Sequence, residues 1–241
     1  MTRPRLFVAD ALAAGACITL EAARAHYLAH VLRLKPGAEL SLFNPSDGQW
    51  SAVLDAAGRH RVELRVVAPE RAATAERGPI LCFAPIRQNR LDWLVEKAVE
   101  LGVAALEPVL TERAVVKLGR PDRLQAIVVE AAEQCGRLTV PPLAEPTPLA
   151  DWLATRAGDG RILFADEQGG MPLAVALRED ATRLLIGPEG GFTEQERLSL
   201  REHPTVVAVS LGPLILRAET AALYALSAWQ MARTTDSSWS D

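Results

Sequence analysis

The sequence predicts an α/β protein in which a small β-rich unit precedes a larger domain built on a parallel sheet. From Ile80 onward, apolar runs typical of buried strands alternate with helical patterns, which indicates a mainly parallel sheet. Before Pro69 the apolar runs are short, strand-like and separated by turns. Two loops rich in Gly and Pro follow apolar runs in the last third of the chain, and the carboxyl ends of strands are where such a sheet binds its ligand.

Composition argues against a membrane protein, a general nucleic-acid coating protein and a disulfide-rich or metal-binding protein. The chain has 241 residues, of which 49% are hydrophobic, and no apolar run reaches the ~18 residues that a membrane span needs. The first residues lead into no apolar signal region, so we expect a cytoplasmic protein without a membrane partner. A net charge of −4 argues against a general nucleic-acid coating protein, although local basic patches can still bind phosphates. Cys17, Cys82 and Cys135 are far apart and lack Cys-x-x-Cys spacing, which predicts neither a disulfide framework nor a metal site.

The first 70 residues are predicted to hold one helix and three strands. Helical spacing covers 21–32 and ends at Lys35-Pro36-Gly37. Strand-like runs follow, with turns between them, at 39–43, 49–54 and 62–67. The stretch 69–79 is charged, rich in Ala and bounded by prolines, so we interpret it as a linker.

The larger domain is predicted as alternating strands and helices. The predicted strands are 80–84, 105–110, 161–165, 183–186 and 206–210, and the predicted helices are 87–101, 120–135, 149–156, 194–202 and 218–232. The last helix carries small or apolar side chains nearly all round, which is typical of a helix buried on every side. We therefore expect it to pack on its own sheet and against a second subunit.

The first glycine loop is Gly187-Pro188-Glu189-Gly190-Gly191. Its glycines permit close approach of the backbone to a ligand, and the helix that follows offers free N–H groups. A tight turn closed by a capping box, with Thr193 and Glu196 three residues on, explains the same pattern. The loop lacks the spacing of the common phosphate-binding motifs, and Glu189 would repel a phosphate. A neutral or cationic ligand fits it better.

The second loop leaves its strand as Leu211-Gly212-Pro213 and continues through an apolar stretch, Leu214 to Leu216. Arg217 and Glu219 then open the last helix. A carboxylate in the first turn of a helix is favourable with the helix dipole, so Glu219 has a structural explanation as well as a functional one. A guanidinium beside apolar residues needs a partner, and an RNA phosphate or base is one candidate for Arg217.

Several motifs in order resemble one family. They are the stretch from Ile186 to Thr193, the stretch from Leu211 to Ala221, Glu96 to Val103, Thr111-Glu112-Arg113, Glu133 to Arg137, and His26-Tyr27-Leu28 with Val31-Leu32-Arg33. Together they resemble the RsmE family, the 16S rRNA uracil-N3 methyltransferases of the SPOUT superfamily. The resemblance implies a PUA-like RNA-binding domain over 1–72 and a SPOUT methyltransferase domain with a trefoil knot over 78–233. It also implies a homodimer, S-adenosylmethionine (SAM) as cofactor, and 16S ribosomal RNA, within the small ribosomal subunit, as partner.

The resemblance assigns roles to individual residues. We assign SAM binding to the two loops and the strand before the first one: Leu185, Gly187, Pro188, Glu189, Gly190, Leu211, Gly212, Ile215 and Leu216. Arg217 would orient or polarise the uracil, and Glu219 is the candidate general base. RNA contacts are assigned to basic residues on the helical face over 87–97 or in matching segments: Arg3, Arg5, Arg33, Arg90, Lys97, Arg113 and Arg137. The family often has a second Arg where this chain has Leu214.

The implied chemistry requires neither a metal nor a covalent nucleophile, because positioning of the two reactants supplies most of the rate and a general base the rest. Two alternatives stay open at this point. One is a ribose 2′-O-methyltransferase of the same superfamily, since a fold does not fix the reaction. The other is a non-catalytic RNA-binding or ribosome-assembly protein that keeps the fold.

Overall fold

The computed structural model describes residues 3–58, 60–114, 120–156, 160–178 and 181–234. The chain forms two compact units. The first comprises Met1–Glu76 together with Ala132–Val140, and the second comprises Arg77–Ala131 together with Pro141–Asp241. The predicted domains 1–72 and 78–233 divide the sequence at one place. They therefore do not assign the segment Ala132–Val140 to the first unit.

The first unit is built on a five-stranded sheet. Its strands are β1 (Arg5–Phe7), β2 (Cys17–Glu21), β3 (Glu39–Asn44), β4 (Gly48–Ala57) and β5 (Arg61–Arg71), in the order β1-β3-β4-β5-β2. The first pair in this order is parallel and the other three pairs are antiparallel. Val62, Leu64 and Val66 are buried at every second position of β5, which is the period expected of a half-buried strand, whereas β3 is buried along most of its length.

Three predictions for this unit need correction. The structure has five strands where three were predicted, because β1 and β2, with three and five residues, are too short to show a clear period. The predicted linker 69–79 begins inside a strand, because β5 continues to Arg71. Near the end of this strand Pro69 lies opposite Trp50 of β4. The predicted helix over 21–32 is a short α1 (Ala22–His26) followed by one π-helical turn, Tyr27–Val31.

The second unit is built on a seven-stranded parallel sheet. Its strands are β6 (Ile80–Phe83), β7 (Ala105–Leu110), β8 (Thr147–Pro148), β9 (Arg161–Ala165), β10 (Met171–Pro172), β11 (Ala181–Ile186) and β12 (Val206–Ser210), in the order β10-β12-β9-β11-β6-β7-β8. The later helices of the chain are α2 (Gln88–Glu100), α3 (Pro121–Cys135), α4 (Leu149–Ala154), α5 (Leu173–Ala176), α6 (Glu194–Glu202) and α7 (Ala218–Thr234). The predicted strand–helix alternation is confirmed, and the trefoil knot stays a prediction.

The last helix, α7, is partly covered within one chain. Ala222, Ala225 and Leu226 are buried, and the helix packs on α2, α5 and β11. Tyr224 and Met231 are exposed despite the apolar pattern around the helix. Across the described residues no helix, α7 included, is both long and apolar enough to cross a membrane.

A buried polar cluster lies between β6, β7 and α4. Glu107 accepts hydrogen bonds from Trp152 Nε1 at 2.8 Å and from Cys82 Sγ at 3.5 Å, and Arg183 Nε lies 3.5 Å from the same carboxylate. Burial, followed by the charge of Glu107, raises the pKa of the Cys82 thiol. A thiol kept protonated is a poor nucleophile, so Cys82 has a structural role.

The predicted capping box at the start of α6 is confirmed. Thr193 Oγ1 accepts a hydrogen bond from the Glu196 backbone N–H at 3.3 Å, and Glu196 Oε2 accepts one from the Thr193 N–H at 2.8 Å. Glu196 Oε1 also accepts from the Glu112 N–H at 2.8 Å, so the cap joins α6 to the loop after β7.

We expect Thr193→Ala to lower the free energy of unfolding by about 1 kcal/mol, because one N–H at the start of α6 loses its acceptor. Urea denaturation followed by circular dichroism measures the change. Ser199→Ala is the matched control: this hydroxyl donates to a carbonyl within the same helix, and its loss should change stability by less than about 0.5 kcal/mol. Equal effects of the two substitutions would contradict the role of the cap.

Candidate functional site

Three loops meet at one edge of the seven-stranded sheet. β11 leads into residues 187–191, β12 into residues 211–217, and β9 into Asp166 and Glu167. β9 pairs in parallel with both β11 and β12, so all three carboxyl ends lie at the same edge. The end of β9 lies between the ends of β11 and β12, so the two glycine loops leave strands that are not neighbours in the sheet. Strand order depends on long-range pairing, which no local pattern specifies.

A cavity of about 330 Å³ lies between the three loops. This volume is within the range of small-molecule sites. Most of the residues assigned to cofactor binding line it, and so does Arg217: the lining includes Gly187, Pro188, Glu189, Leu211, Gly212, Ile215 and Leu216. Residues far apart in the sequence thus form one wall, as the two loop motifs predict.

Two residues assigned to the cofactor are not part of this wall. The side chain of Leu185 is fully buried in the core beneath the loop. Gly190 is exposed, and its carbonyl accepts a hydrogen bond from Arg113 Nη1 at 3.2 Å. The wall contains Gly191 in its place.

The glycines of the first loop are required by close packing. A Cβ on Gly187 would lie 2.5 Å from the ring of Phe192, which itself packs edge-on against Phe164. Gly191 has φ +67°, and a Cβ there would lie 2.6 Å from Glu167 Oε1. A side chain at either position would clash with its neighbour, so these glycines let the loop pack closely against Phe192 and Glu167.

Arg90, which lines the cavity, contacts two carboxylates, those of Glu189 and Glu219. Glu189 accepts a hydrogen bond from Arg90 Nη1 at 2.7 Å. Glu219 Oε1 lies 3.7 Å from Arg90 Nε, and its Oε2 is buried without a hydrogen-bond partner among the described residues. Glu219 is not part of the wall, but its neighbours Ala218 and Ala221 are. A buried oxygen without a partner is costly, so Glu219 has an unused capacity to accept a hydrogen bond.

Arg217 presents an unengaged positive charge to the cavity. Its side chain is exposed, it lines the cavity, and it makes no hydrogen bond or ion pair with any residue that the structure describes. The neighbouring Leu214 and Ile215 are also exposed. An unengaged guanidinium near exposed apolar side chains suits a flat ligand with carbonyl or phosphate oxygens.

The sequence reasoning missed the third loop. Asp166 is fully buried and accepts hydrogen bonds from Arg197 Nη1 and from Arg201, whose Nη2 lies at 2.6 Å. Arg197 Nη2 also lies 3.2 Å from Glu167 Oε1. Two acidic residues directly after the predicted strand 161–165 were the available signal. Within the described parts of the chain, no group of three or more His, Cys, Asp or Glu side chains is arranged to hold a metal ion.

In the first unit, three of the four arginines assigned to RNA are engaged by the protein itself. Arg3 pairs with Glu39 and Glu70. Arg5 donates to the carbonyl oxygens of Glu133 and Arg137, at 2.8 and 2.7 Å, and burial lowers its pKa. Arg137 Nε donates to Glu76 at 2.8 Å. Arg33 is exposed, in a left-handed conformation with φ 54°. The structure therefore gives Arg3, Arg5 and Arg137 contacts that hold the unit together.

In the second unit, Lys97 and Arg113 differ in their surroundings. Lys97 donates to Glu96 and Glu100 at 2.7 and 2.8 Å, and these hydrogen bonds raise its pKa. This is a local cluster on the surface of α2. Arg113 is exposed and donates to the carbonyl of Gly190, so it lies against the first glycine loop.

Family models decide the class to which this architecture belongs. The model described as an RNA methyltransferase domain matches residues 76–230, which contain all three loops and the cavity. The chain belongs to the RNA methyltransferase family. A second model, described as an RNA methyltransferase PUA domain, matches residues 20–67 of this methyltransferase, within the five-stranded unit.

Known relatives resemble this RNA methyltransferase over most of its length. The ribosomal RNA small subunit methyltransferase E of Rickettsia conorii is 30% identical over 229 residues, which cover 92% of this chain and 93% of that protein. The protein of the same name from Synechocystis is 33% identical over 232 residues, covering 92% and 76%. The RsmE resemblance of the sequence is confirmed.

Solved structures of relatives share the fold. The ribosomal RNA small subunit methyltransferase E of Neisseria gonorrhoeae, bound to SAM, superimposes with a TM-score of 0.85 at 31% identity and covers 95% of this chain and 98% of that one. A Legionella pneumophila protein in complex with SAM superimposes with a TM-score of 0.86 at 28% identity, covering 96% and 98%. The predicted α/β fold with a PUA-like first domain is confirmed.

Proposed function

We propose that this RNA methyltransferase transfers the methyl group of SAM to N3 of a uridine in 16S ribosomal RNA of the small ribosomal subunit. The cavity at the ends of β9, β11 and β12 is the observation that carries the proposal, since it combines the glycine loops with an unengaged Arg217, and Arg90 on its wall contacts the buried carboxylate of Glu219. The similarity to relatives solved with SAM supports the cofactor. An rRNA substrate implies that the protein acts in the cytoplasm.

The cavity fits a nucleoside cofactor. Gly187 and Gly191 bring bare backbone to its wall at positions where a Cβ would clash with a neighbour, and Leu211, Ile215 and Leu216 supply apolar surface for a flat base. Pro188, Glu189 and Gly212 complete the binding surface, while Leu185 beneath the loop and Gly190 beside it maintain its shape. When bound, SAM supplies a methyl group on a positively charged sulfur.

Methylation at N3 requires removal of the imide proton of uracil. We assign that proton to Glu219, whose buried Oε2 has an unused capacity to accept. Arg217 donates hydrogen bonds to a carbonyl oxygen of the uracil and so stabilises the charge that develops as the proton leaves. SAM held by the two glycine loops would supply the methyl group that N3 receives, and its sulfur would keep the electron pair of the carbon–sulfur bond. Arg90 on the cavity wall contacts both Glu189 and Glu219.

RNA contact is assigned to the basic residues that the structure leaves exposed. Arg33 in the first unit and Arg113 in the second are exposed, and Arg90 lines the cavity. Lys97 contributes positive charge on α2, shared with two glutamates. Arg3, Arg5 and Arg137 contribute by ordering the first unit. Phosphate contacts of this kind position an RNA without reading its sequence.

We propose that the protein acts as a homodimer through α7. Tyr224 and Met231 are the apolar side chains that this helix leaves exposed, in a pattern that is apolar nearly all round. Sedimentation equilibrium of the full chain should give twice the mass of one chain, and a monomer at every concentration would contradict this proposal.

The function is tested by mapping modified uridines. Small-subunit RNA from cells that lack the protein should lose one N3-methyluridine by mass spectrometry, and the purified protein with SAM should restore it. Loss of a 2′-O-methyl group instead would favour the ribose methyltransferase. Failure of calorimetry to detect SAM binding would favour a non-catalytic RNA-binding protein.

We expect Glu219→Gln to lower the rate of methyl transfer by about 100-fold, because the amide cannot accept the imide proton. Single-turnover rates with SAM and small-subunit RNA measure the change, and calorimetry should show cofactor affinity within about threefold of the wild type. Glu202→Gln, an exposed carboxylate at the end of α6, is the control and should retain the full rate. A Glu219→Gln protein with an unchanged rate would show that another group takes the proton.

A further inference from the structure

Glu167 is a carboxylate on the cavity wall that neither the sequence motifs nor the proposed chemistry uses. It follows β9, the strand between the two glycine loops, and it lines the same cavity as both of them. Its side chain is about half exposed, at 47%. Because Gly191 approaches its Oε1, the carboxylate lies against the backbone of the first loop.

A buried ion-pair network holds this carboxylate in place. Arg197 lies on α6 with 5% of its side chain exposed, and its Nη2 is 3.2 Å from Glu167 Oε1. The same guanidinium donates to the fully buried Asp166, which Arg201 also contacts. A carboxylate on the wall is thus supported from behind by a buried arginine. Such support restricts a binding group to one orientation and lowers the cost of ordering it on binding.

We propose that Glu167 accepts hydrogen bonds from the ribose hydroxyl groups of the cofactor. This inference rests on the proposed function, since it assigns a further residue to the SAM site. A carboxylate at the end of a parallel strand is a general solution for binding a ribose, because its oxygens accept from vicinal hydroxyl groups.

The surroundings of Glu167 favour a neutral donor over a cation. The Arg197 guanidinium lies beside the same carboxylate and would repel the ammonium group of the cofactor's amino-acid part. Hydroxyl groups carry no charge, so the neighbouring guanidinium does not repel them. The carboxylate would also repel a phosphate group, in agreement with a ligand that has none.

The test compares ligands that differ in one part of the cofactor. Calorimetry measures the binding of S-adenosylhomocysteine, of 5′-methylthioadenosine, which has the ribose but no amino-acid part, and of 2′,3′-dideoxy-5′-methylthioadenosine, which lacks both hydroxyl groups. We expect Glu167→Gln to weaken the first two by about tenfold, since hydrogen bonds to a charged acceptor are lost. We expect its affinity for the third ligand to be within twofold of the wild type. Glu202→Gln is the control and should bind all three as the wild type does.

Three results would overturn the proposal for Glu167. Unchanged affinity for every ligand would remove Glu167 from the site. Weaker binding of S-adenosylhomocysteine alone would place the carboxylate at the amino-acid part. An equal loss for the dideoxy ligand would mean that Glu167 only supports the loop at Gly191. Wild-type protein that binds none of these ligands would instead refute the proposed function itself.

Discussion

Arg217→Ala is expected to lower the rate of methyl transfer by about 10²–10³-fold, the range for removing one donor that stabilises developing charge. The side chain lines the cavity, and no described residue engages it, so its donors are available to the substrate. Cofactor affinity should stay within about threefold of the wild type, because the loops that form the cavity keep their contacts. Single-turnover rates and calorimetry with S-adenosylhomocysteine separate the two effects.

Arg178→Ala is the matched control for Arg217→Ala. Arg178 is also exposed in the second unit, but it does not line the cavity. The same loss of net charge at this position should leave the rate unchanged. If the two variants were equally slow, the effect of Arg217 would be one of overall charge. If Arg217→Ala kept the full rate, its assignment to the uracil would be wrong.

Asp166→Asn is expected to lower the free energy of unfolding by about 3 kcal/mol. The Asp166 side chain is fully buried, and the Arg197 side chain that it contacts is 5% exposed. Removing one partner of a buried ion pair costs about 3–5 kcal/mol. The loss expected here is at the lower end, because the amide retains part of the hydrogen bonding and Glu167 Oε1 still lies 3.2 Å from Arg197 Nη2. Urea denaturation followed by circular dichroism measures the change.

Glu202→Gln serves as the control for Asp166→Asn, because a change at the exposed end of α6 should stay within about 0.5 kcal/mol. The slope of the denaturation curve should be the same in both variants if the native structure is retained. A loss below about 1 kcal/mol for Asp166→Asn would mean that Arg197 finds another acceptor. The buried pair of Asp166 and Arg197 would then contribute less to holding Glu167 in place than its burial indicates.

Local patterns were sufficient for the longer elements. The predicted strands at 105–110, 161–165 and 206–210 agree with β7, β9 and β12 residue for residue. Long apolar runs and a capping box depend only on residues close in the sequence, so they can be recognised before the fold is known. β8 and β10 have two residues each and no periodicity, so pairing with a neighbour is all that defines them.

Part of the candidate site could also be predicted, because it too is defined by short-range sequence patterns. Glycine loops after strands are visible in the sequence, and seven of the nine residues assigned to the cofactor line the cavity. Leu185 and Gly190 do not, because the direction of a side chain in a turn depends on backbone angles. Arg5 was assigned to RNA because of its charge, yet its guanidinium donates to the carbonyl oxygens of Glu133 and Arg137, which are distant in the sequence. Charge is local, whereas a buried partner is a property of the folded chain.

By itself the sequence determined the class of fold, the family and the two loops that form most of the cavity, because these depend on residue type, spacing and local order. The tertiary structure decided that β9 lies between those loops and that Asp166 and Arg197 form a buried pair there. It also decided that Glu219 has a buried oxygen without a partner among the described residues. These features arise from pairing between distant segments, and the free energy of that pairing is not encoded in any one segment.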